Sequence, residues 1–227
     1  FVWKLLEDRG FAIRGGGPGV SDLRSDISET SDFKSQSLDF RFLIGLLAVG
    51  CFGYTVFSYF YIWTTAAAWF ACLGLVWLLE RPERWRLDLK LFAVLGAGFL
   101  LVLAPYAYLL SKRSETLDHV QLLVYTRAPD LFRMPEYIGF AVLIILILGL
   151  ASRRIEMKDR STLFTLSLAL VPFVVFNQQI VTGRSLQPIH YQVFIGNYVA
   201  GLALVLALGL VARGWLRKAG TPVRAAC

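Results

Sequence analysis

An all-α, polytopic bundle of about six transmembrane helices is the fold this sequence predicts. Two observations carry the prediction. The 227 residues are 56% hydrophobic with a mean hydropathy of +0.59 and only 17% charged, whereas soluble domains usually carry roughly 25% charged residues. The apolar residues are also grouped into runs separated by short basic clusters, where membrane helices place their loop charges. The net charge of +7 therefore reflects membrane topology, and nucleic acid is not an expected partner.

Residues 1–40 form the first region. The opening FVWKLLEDRGFAIR is amphipathic, and GGGPG follows it. Two readings stand for the opening, a short interfacial helix or a loop. The short apolar patch and the glycine run favour the loop. Ser21 to Asp39 reads as a solvated linker. The chain begins with Phe1 rather than Met and shows no signal-peptide pattern, so it is expected to be part of a longer protein.

Residues 41–215 form the membrane domain. Phe42 to Leu79 contains no charged residue, and as one helix it would exceed a hydrocarbon layer of ~30 Å by nearly a factor of two. It is therefore two spans, about Phe42 to Phe57 and Ile62 to Leu79, broken in the aromatic belt SYFYIW. ERPERWRLDLK ends this hairpin. A third span runs from Leu91 to about Leu110, with Pro105 kinking or closing its end. Lys112 to Glu136 is a mixed loop, and Tyr137 to Ser152 is a fourth span. The fifth begins near Leu163 and must continue through Asn177, Gln178 and Gln179 to about Val181 to be long enough to cross. The sixth covers Val193 to Ala212, and residues 216–227 form a basic tail.

Alternating the six spans brings Arg41, the Arg81 to Lys90 cluster, the Arg153 to Arg160 cluster and the tail to one side. The positive-inside rule makes that side cytoplasmic. No internal repeat supports an inverted-repeat transporter. Cys51, Cys72 and Cys227 have no spacing that suits zinc or a disulfide framework. No cofactor or metal site is read from the sequence.

Asn177 to Asn197, NQQIVTGRSLQPIHYQVFIGN, is the densest polar passage in this apolar chain. Polar groups at membrane depth are costly unless paired, which marks them as functional candidates. Thr182-Gly183-Arg184-Ser185 reads as a turn. Gln187-Pro188 reads as a helix start, because proline at the first helical position gives up no hydrogen bond. A regular helix from Pro188 aligns His190, Phe194, Asn197 and Gly201 on one face, with Tyr191 and Tyr198 beside it. The candidate binding residues are Asn177, Gln178, Gln179, Arg184, Gln187, His190, Tyr191 and Asn197. They are expected around one outward-opening anion pocket at the helix N-terminus. The competing reading is structural: Arg184 snorkels, the amides cap helices and His190 is an interfacial histidine. Asp118 and His119 suggest acid–base chemistry, but adjacent residues need not face each other, and a charged surface loop is the commoner case.

The Tyr-Phe-Tyr-Ile-Trp-Thr hairpin, the Ala104-Pro105-Tyr106 helix end, the order of basic loops and the turn Gly-Arg-Ser-Leu-Gln-Pro-Ile-His-Tyr together resemble the membrane part of bacterial polytopic GT-C-type glycosyltransferases. The resemblance covers about Phe42 to Trp215. It implies a polyprenyl-phosphate-linked sugar donor, membrane lipid as surroundings, and chemistry on the outer face of the bacterial inner membrane. It also implies an anionic group near Arg184 and His190, and a carboxylate acting as base. The family's catalytic acids lie in the first outer loop, and SYFYIW contains none. No catalytic residue is therefore assigned, and Asp118 and Asp130 are fallbacks. The alternative is a non-catalytic polytopic protein, either a transporter or a lipid-binding or assembly subunit.

Overall fold

The computed structural model describes residues 26–114, 124–185 and 187–219. Residues 1–25, with the amphipathic opening, lie outside this set, as do Glu115, Asp118, His119 and the end of the tail. The described chain is an all-α bundle. α1 is Asp26–Ser58, α2 Phe60–Glu80, α3 Trp85–Ser111, α4 Met134–Ala151 and α5 Arg160–Asn177. After a short α6 (Gln179–Thr182), the last span consists of α7 (Pro188–Tyr191), a π-helical turn (Gln192–Gly196) and α8 (Asn197–Ala219). Five helical stretches are long and apolar enough to cross a membrane, and Phe42–Ser58 is a shorter apolar sixth. This is a membrane protein.

Several boundaries follow directly from local chemistry. The first hairpin breaks at Tyr59, whose extended backbone (φ −154°, ψ 120°) separates α1 from α2 inside the aromatic belt. Pro188 starts its helix at the first turn. Pro105 does not end α3, which runs on to Ser111. One expectation is corrected: Asp26 to Asp39 is helix, continuous with the apolar part of α1, and not a linker. No glycine or proline interrupts Asp26 to Phe42, and extending an existing helix is far easier than nucleating one.

Two groups of helices make the bundle. α1, α2 and α3 pack together, as do α4, α5 and α8, and the α2–α5 contact joins the groups. In the first group Ile44, Ala48, Leu73, Trp77, Phe92 and Leu95 enclose a core that Leu163 of α5 completes. In the second, Val142 and Leu146 meet Ala169 and the small stripe Ala203 and Ala207. Trp69 borders both cores and donates through Nε1 to Ser167 Oγ at 3.1 Å, so it stands at the seam. α5 is the most central span, with half of its apolar window buried against 17% for α3. Leu46, Val94, Leu100, Leu101, Ile144, Ile147 and Val205 are exposed, as side chains facing lipid must be.

Small residues set the closest helix approach, as expected where packing drives association. A β-carbon on Gly139 of α4 would lie 2.9 Å from the Ala169 carbonyl oxygen of α5 and 2.9 Å from the Phe173 ring. The backbone oxygen cannot move away without shifting the helix. Gly139→Val should therefore destabilise the bundle by about 1–3 kcal/mol. The test is a lowered thermal midpoint of the helical circular-dichroism signal in detergent, and an unchanged midpoint would contradict the close approach.

The arginine-rich connections lie at one end of the helices. There Trp77, Asp88 and Arg160 bring together the end of α2 and the starts of α3 and α5. Arg154 lies over the Trp215 ring, which brings the end of α8 to the α4–α5 connection. The opposite, polar end carries Tyr59, the Gly183 turn and the start of α7.

Candidate functional site

At the polar end α5 stops at Asn177, and Gly183 closes α6 in a left-handed conformation (φ 72°), its N–H donating to Gln179 O at 2.8 Å. Glycine adopts this conformation without steric cost. The chain then pairs briefly with the preceding loop. β2 (Arg184–Ser185) runs antiparallel to β1 (Val124–Tyr125), with Tyr125 opposite Arg184. Gln187 turns into Pro188 with φ 33°.

The amides divide into two sets. Asn177 and Gln179 face the loop that follows β1. Asn177 Oδ1 accepts from Asp130 N–H at 2.9 Å, and its Nδ2 donates to Asp130 O at 2.9 Å and to Glu136 Oε1 at 3.0 Å. Gln179 Nε2 donates to Ala128 O at 3.1 Å. Arg127 reaches back to Ile180 O at 3.0 Å, and Thr126 N–H donates to Gly183 O at 3.2 Å. Together these bonds strap residues 124–133 across the end of α5. These bonds satisfy backbone groups that would be costly to leave unpaired.

Gln178 joins a different cluster. Tyr191, only 1% exposed, shares a 2.9 Å hydrogen bond with Thr64 Oγ1 and accepts from Gln178 Nε2 at 3.3 Å. Tyr61 donates to Gln187 Oε1 at 2.9 Å, and its ring stands edge-on to Tyr191 at 4.7 Å. The half-buried His190 ring stacks on Tyr61 at 5.2 Å and on Phe194 at 5.7 Å. Tyr59 closes the circuit, 5.3 Å from Tyr61 and 5.8 Å from Phe194. Four rings, from Tyr59 at the break, Tyr61 of α2 and His190 and Phe194 of the last span, therefore form a closed aromatic ring of contacts. His190 Nδ1 is buried there with no hydrogen-bond partner among the described residues.

Arg184 and Asn197 stand apart from this cluster. Arg184 is exposed, with its guanidinium 5.6 Å from the Tyr125 ring centre. Asn197 is exposed, and Tyr198 is 70% exposed although Tyr191 is buried. The π-helical turn Gln192–Gly196 accounts for this. Its i→i+5 bonding inserts extra residues per turn, so the face that starts at His190 does not continue regularly to Asn197. Instead Ala200, Ala203 and Ala207 turn inward. The α-helical stretch from Pro188 is one turn long, so the anion pocket expected at its N-terminus has little aligned backbone to support it.

The acids nearby are engaged. Asp130 pairs with Arg133, whose guanidinium lies over Phe176. Glu136, 0% exposed, accepts from Asn177 and from Arg133 N–H. Among the described residues no group of three or more His, Cys, Asp or Glu is placed to hold a metal ion. Thr64 and Arg127 were not among the candidate residues, and Glu136 was weighed only as a weak acid–base candidate. Thr64 gave no sequence signal, whereas Glu136, an acid beside an apolar run, gave a weak one. The cluster combines aromatic faces, hydroxyls and amides bonded to one another, and one buried imidazole nitrogen. No protein-family model matches the chain, and neither a curated protein nor a solved structure matches it.

Proposed function

We propose that this chain is the membrane-embedded part of a glycosyltransferase that handles a polyprenyl-phosphate-linked sugar at the outer face of the bacterial inner membrane. In this reading the polar end faces outward and the arginine-rich end lies in the cytoplasm, in line with the positive-inside rule. The observation that carries it is the Tyr59–Tyr61–His190–Phe194 ring of contacts, with Gln187, Tyr191, Thr64 and Gln178 beside it and the His190 nitrogen buried and unpaired. Aromatic faces flanked by hydrogen-bonding groups are the usual means of binding a sugar ring. The family resemblance supplies the donor class.

The role proposed for this end is binding. Asp130 and Glu136 are both committed to neighbours, so neither is offered as the base. That commitment also favours the second reading, a non-catalytic lipid-binding or assembly subunit. Radiolabelled polyprenyl-phosphate glucose, bound to the protein in nanodiscs, separates sugar recognition from lipid capture when polyprenyl phosphate without sugar is the competitor. His190→Ala should weaken retention of the sugar-bearing lipid about tenfold, corresponding to about 1.4 kcal/mol, and leave sugar-free lipid unaffected. Equal loss of both would remove the sugar from the reading. Wild-type protein that binds neither lipid would end it.

A further inference from the structure

The connection between α2 and α3 is built with unusual backbone. Arg81 and Arg84 have φ of 47° and 63°, left-handed conformations that a non-glycine residue keeps only where the surroundings enforce them. Here they are enforced. Arg81 N–H caps α2 by donating to Trp77 O at 3.1 Å, Pro82 is buried, and Trp85 N–H donates to Pro82 O at 3.0 Å. The result is a rigid turn that seats the half-buried Trp85 against the edge of the first core. The guanidinium carbons of Arg81 and Arg86 lie 5.4 and 5.5 Å from the Trp85 ring centre.

Both arginines are exposed, and among the described residues neither forms an ion pair. Glu80 is half-buried and Glu83 exposed, and neither pairs with them. Asp88, the remaining acid of the turn, points into the bundle to Arg160. The turn begins where the apolar span Phe60–Glu80 ends, and the end of a helix that crosses the hydrocarbon layer meets the headgroup region. A guanidinium there presents planar paired donors that match phosphate oxygens, and stacking on an anchored ring reduces the rotamer freedom lost on binding.

We propose that the Arg81–Trp85–Arg86 turn is a binding site for the phosphodiester headgroup of an anionic phospholipid. The charge of the two guanidiniums, left without an acidic partner among the described residues, selects this occupant over a zwitterionic lipid. The site is separate from the polar-end cluster and does not depend on the function proposed for it.

Native mass spectrometry of the purified chain, equilibrated with equimolar phosphatidylglycerol and phosphatidylcholine, reads the preference directly. The wild-type protein should carry phosphatidylglycerol in excess, and equal occupancy would overturn the site without any variant. Arg81→Gln and Arg86→Gln should each reduce the excess about fivefold, the effect of one basic residue near a membrane surface. Trp85→Leu retains both charges and should also reduce it. An unchanged preference in Trp85→Leu would show diffuse charge attraction and overturn the built site. Excess inorganic phosphate should not displace the lipid, and full displacement would assign the site to free phosphate instead.

Discussion

Replacing Arg160 with Met is expected to destabilise the bundle by about 3–5 kcal/mol, the usual result of removing one partner from a buried charge pair. Asp88 is 0% exposed. It lies on the inner face of α3 with Phe92 and Leu95, four and seven residues further on, both buried in the first core. Because those side chains fix the face that α3 buries, the carboxylate cannot turn outward to water. Its Oδ2 receives Arg160 Nη2 at 3.3 Å and Trp77 Nε1 at 3.0 Å, while Oδ1 is buried without a hydrogen-bond partner among the described residues. With Arg160 gone, one neutral indole would face a charge taken out of water. The double variant Asp88→Leu/Arg160→Met removes both charges and should recover most of the loss, since well-packed apolar replacements of buried pairs are often neutral. Chemical denaturation in detergent micelles, followed by circular dichroism, measures both. A single variant within about 0.5 kcal/mol of wild type would mean that solvent reaches Asp88 and that the pair is not structural.

The same pair shows where the sequence could be read and where it could not. Features dictated by nearby residues were legible: the break at Tyr59 within its aromatic belt, the Gly183 turn, the start at Pro188 and the continuation of the fifth span through the amides. Features that depend on distant partners were not. Asp88 looked like one more charge in a basic loop because its partner lies 72 residues away, although its spacing from Phe92 and Leu95 placed it on an apolar face. The amides were read as costly and hence as binding candidates, and sequence does not reveal the loop atoms that pair with Asn177 and Gln179. His190 and Phe194 were placed together correctly by regular helical spacing. The same spacing failed for Asn197, because a π-helical turn lies between them and nothing in QVFIG signals it. The helix from Asp26 was read as linker from its composition, although the missing glycine and proline were the more telling feature.

Asn177→Leu should release the strap over the polar end while leaving the helices in place. One side chain holds both backbone groups of Asp130 and the buried Glu136, and a leucine of similar volume would abandon all of them. Hydrogen bonds to charged groups contribute about 1.5–3 kcal/mol, and each buried group left unpaired costs about 1–3 kcal/mol. A local loss of about 3 kcal/mol is therefore expected, and it corresponds to roughly a 150-fold rise in amide exchange at Asp130. Neighbouring anchors do not compensate, since Gln179 holds Ala128 and Arg127 holds the Ile180 carbonyl, both on the near side of Asp130. Exchange in the α2 core around Leu73 and Trp77 should stay as in wild type, which separates a released strap from general unfolding. Asn177→Asp provides an independent arm: it matches asparagine in size but sets a second carboxylate against Glu136, so it should release the strap at least as much. Exchange at Asp130 within about threefold of wild type in both variants would show that the other anchors suffice. If the strap opens as expected, exchange at Asn177's neighbour Gln178 tells whether the aromatic cluster is coupled to it. The two sets of bonds share only the end of α5, and Gln178 bonds to Tyr191 rather than to the strap, so the cluster should remain closed.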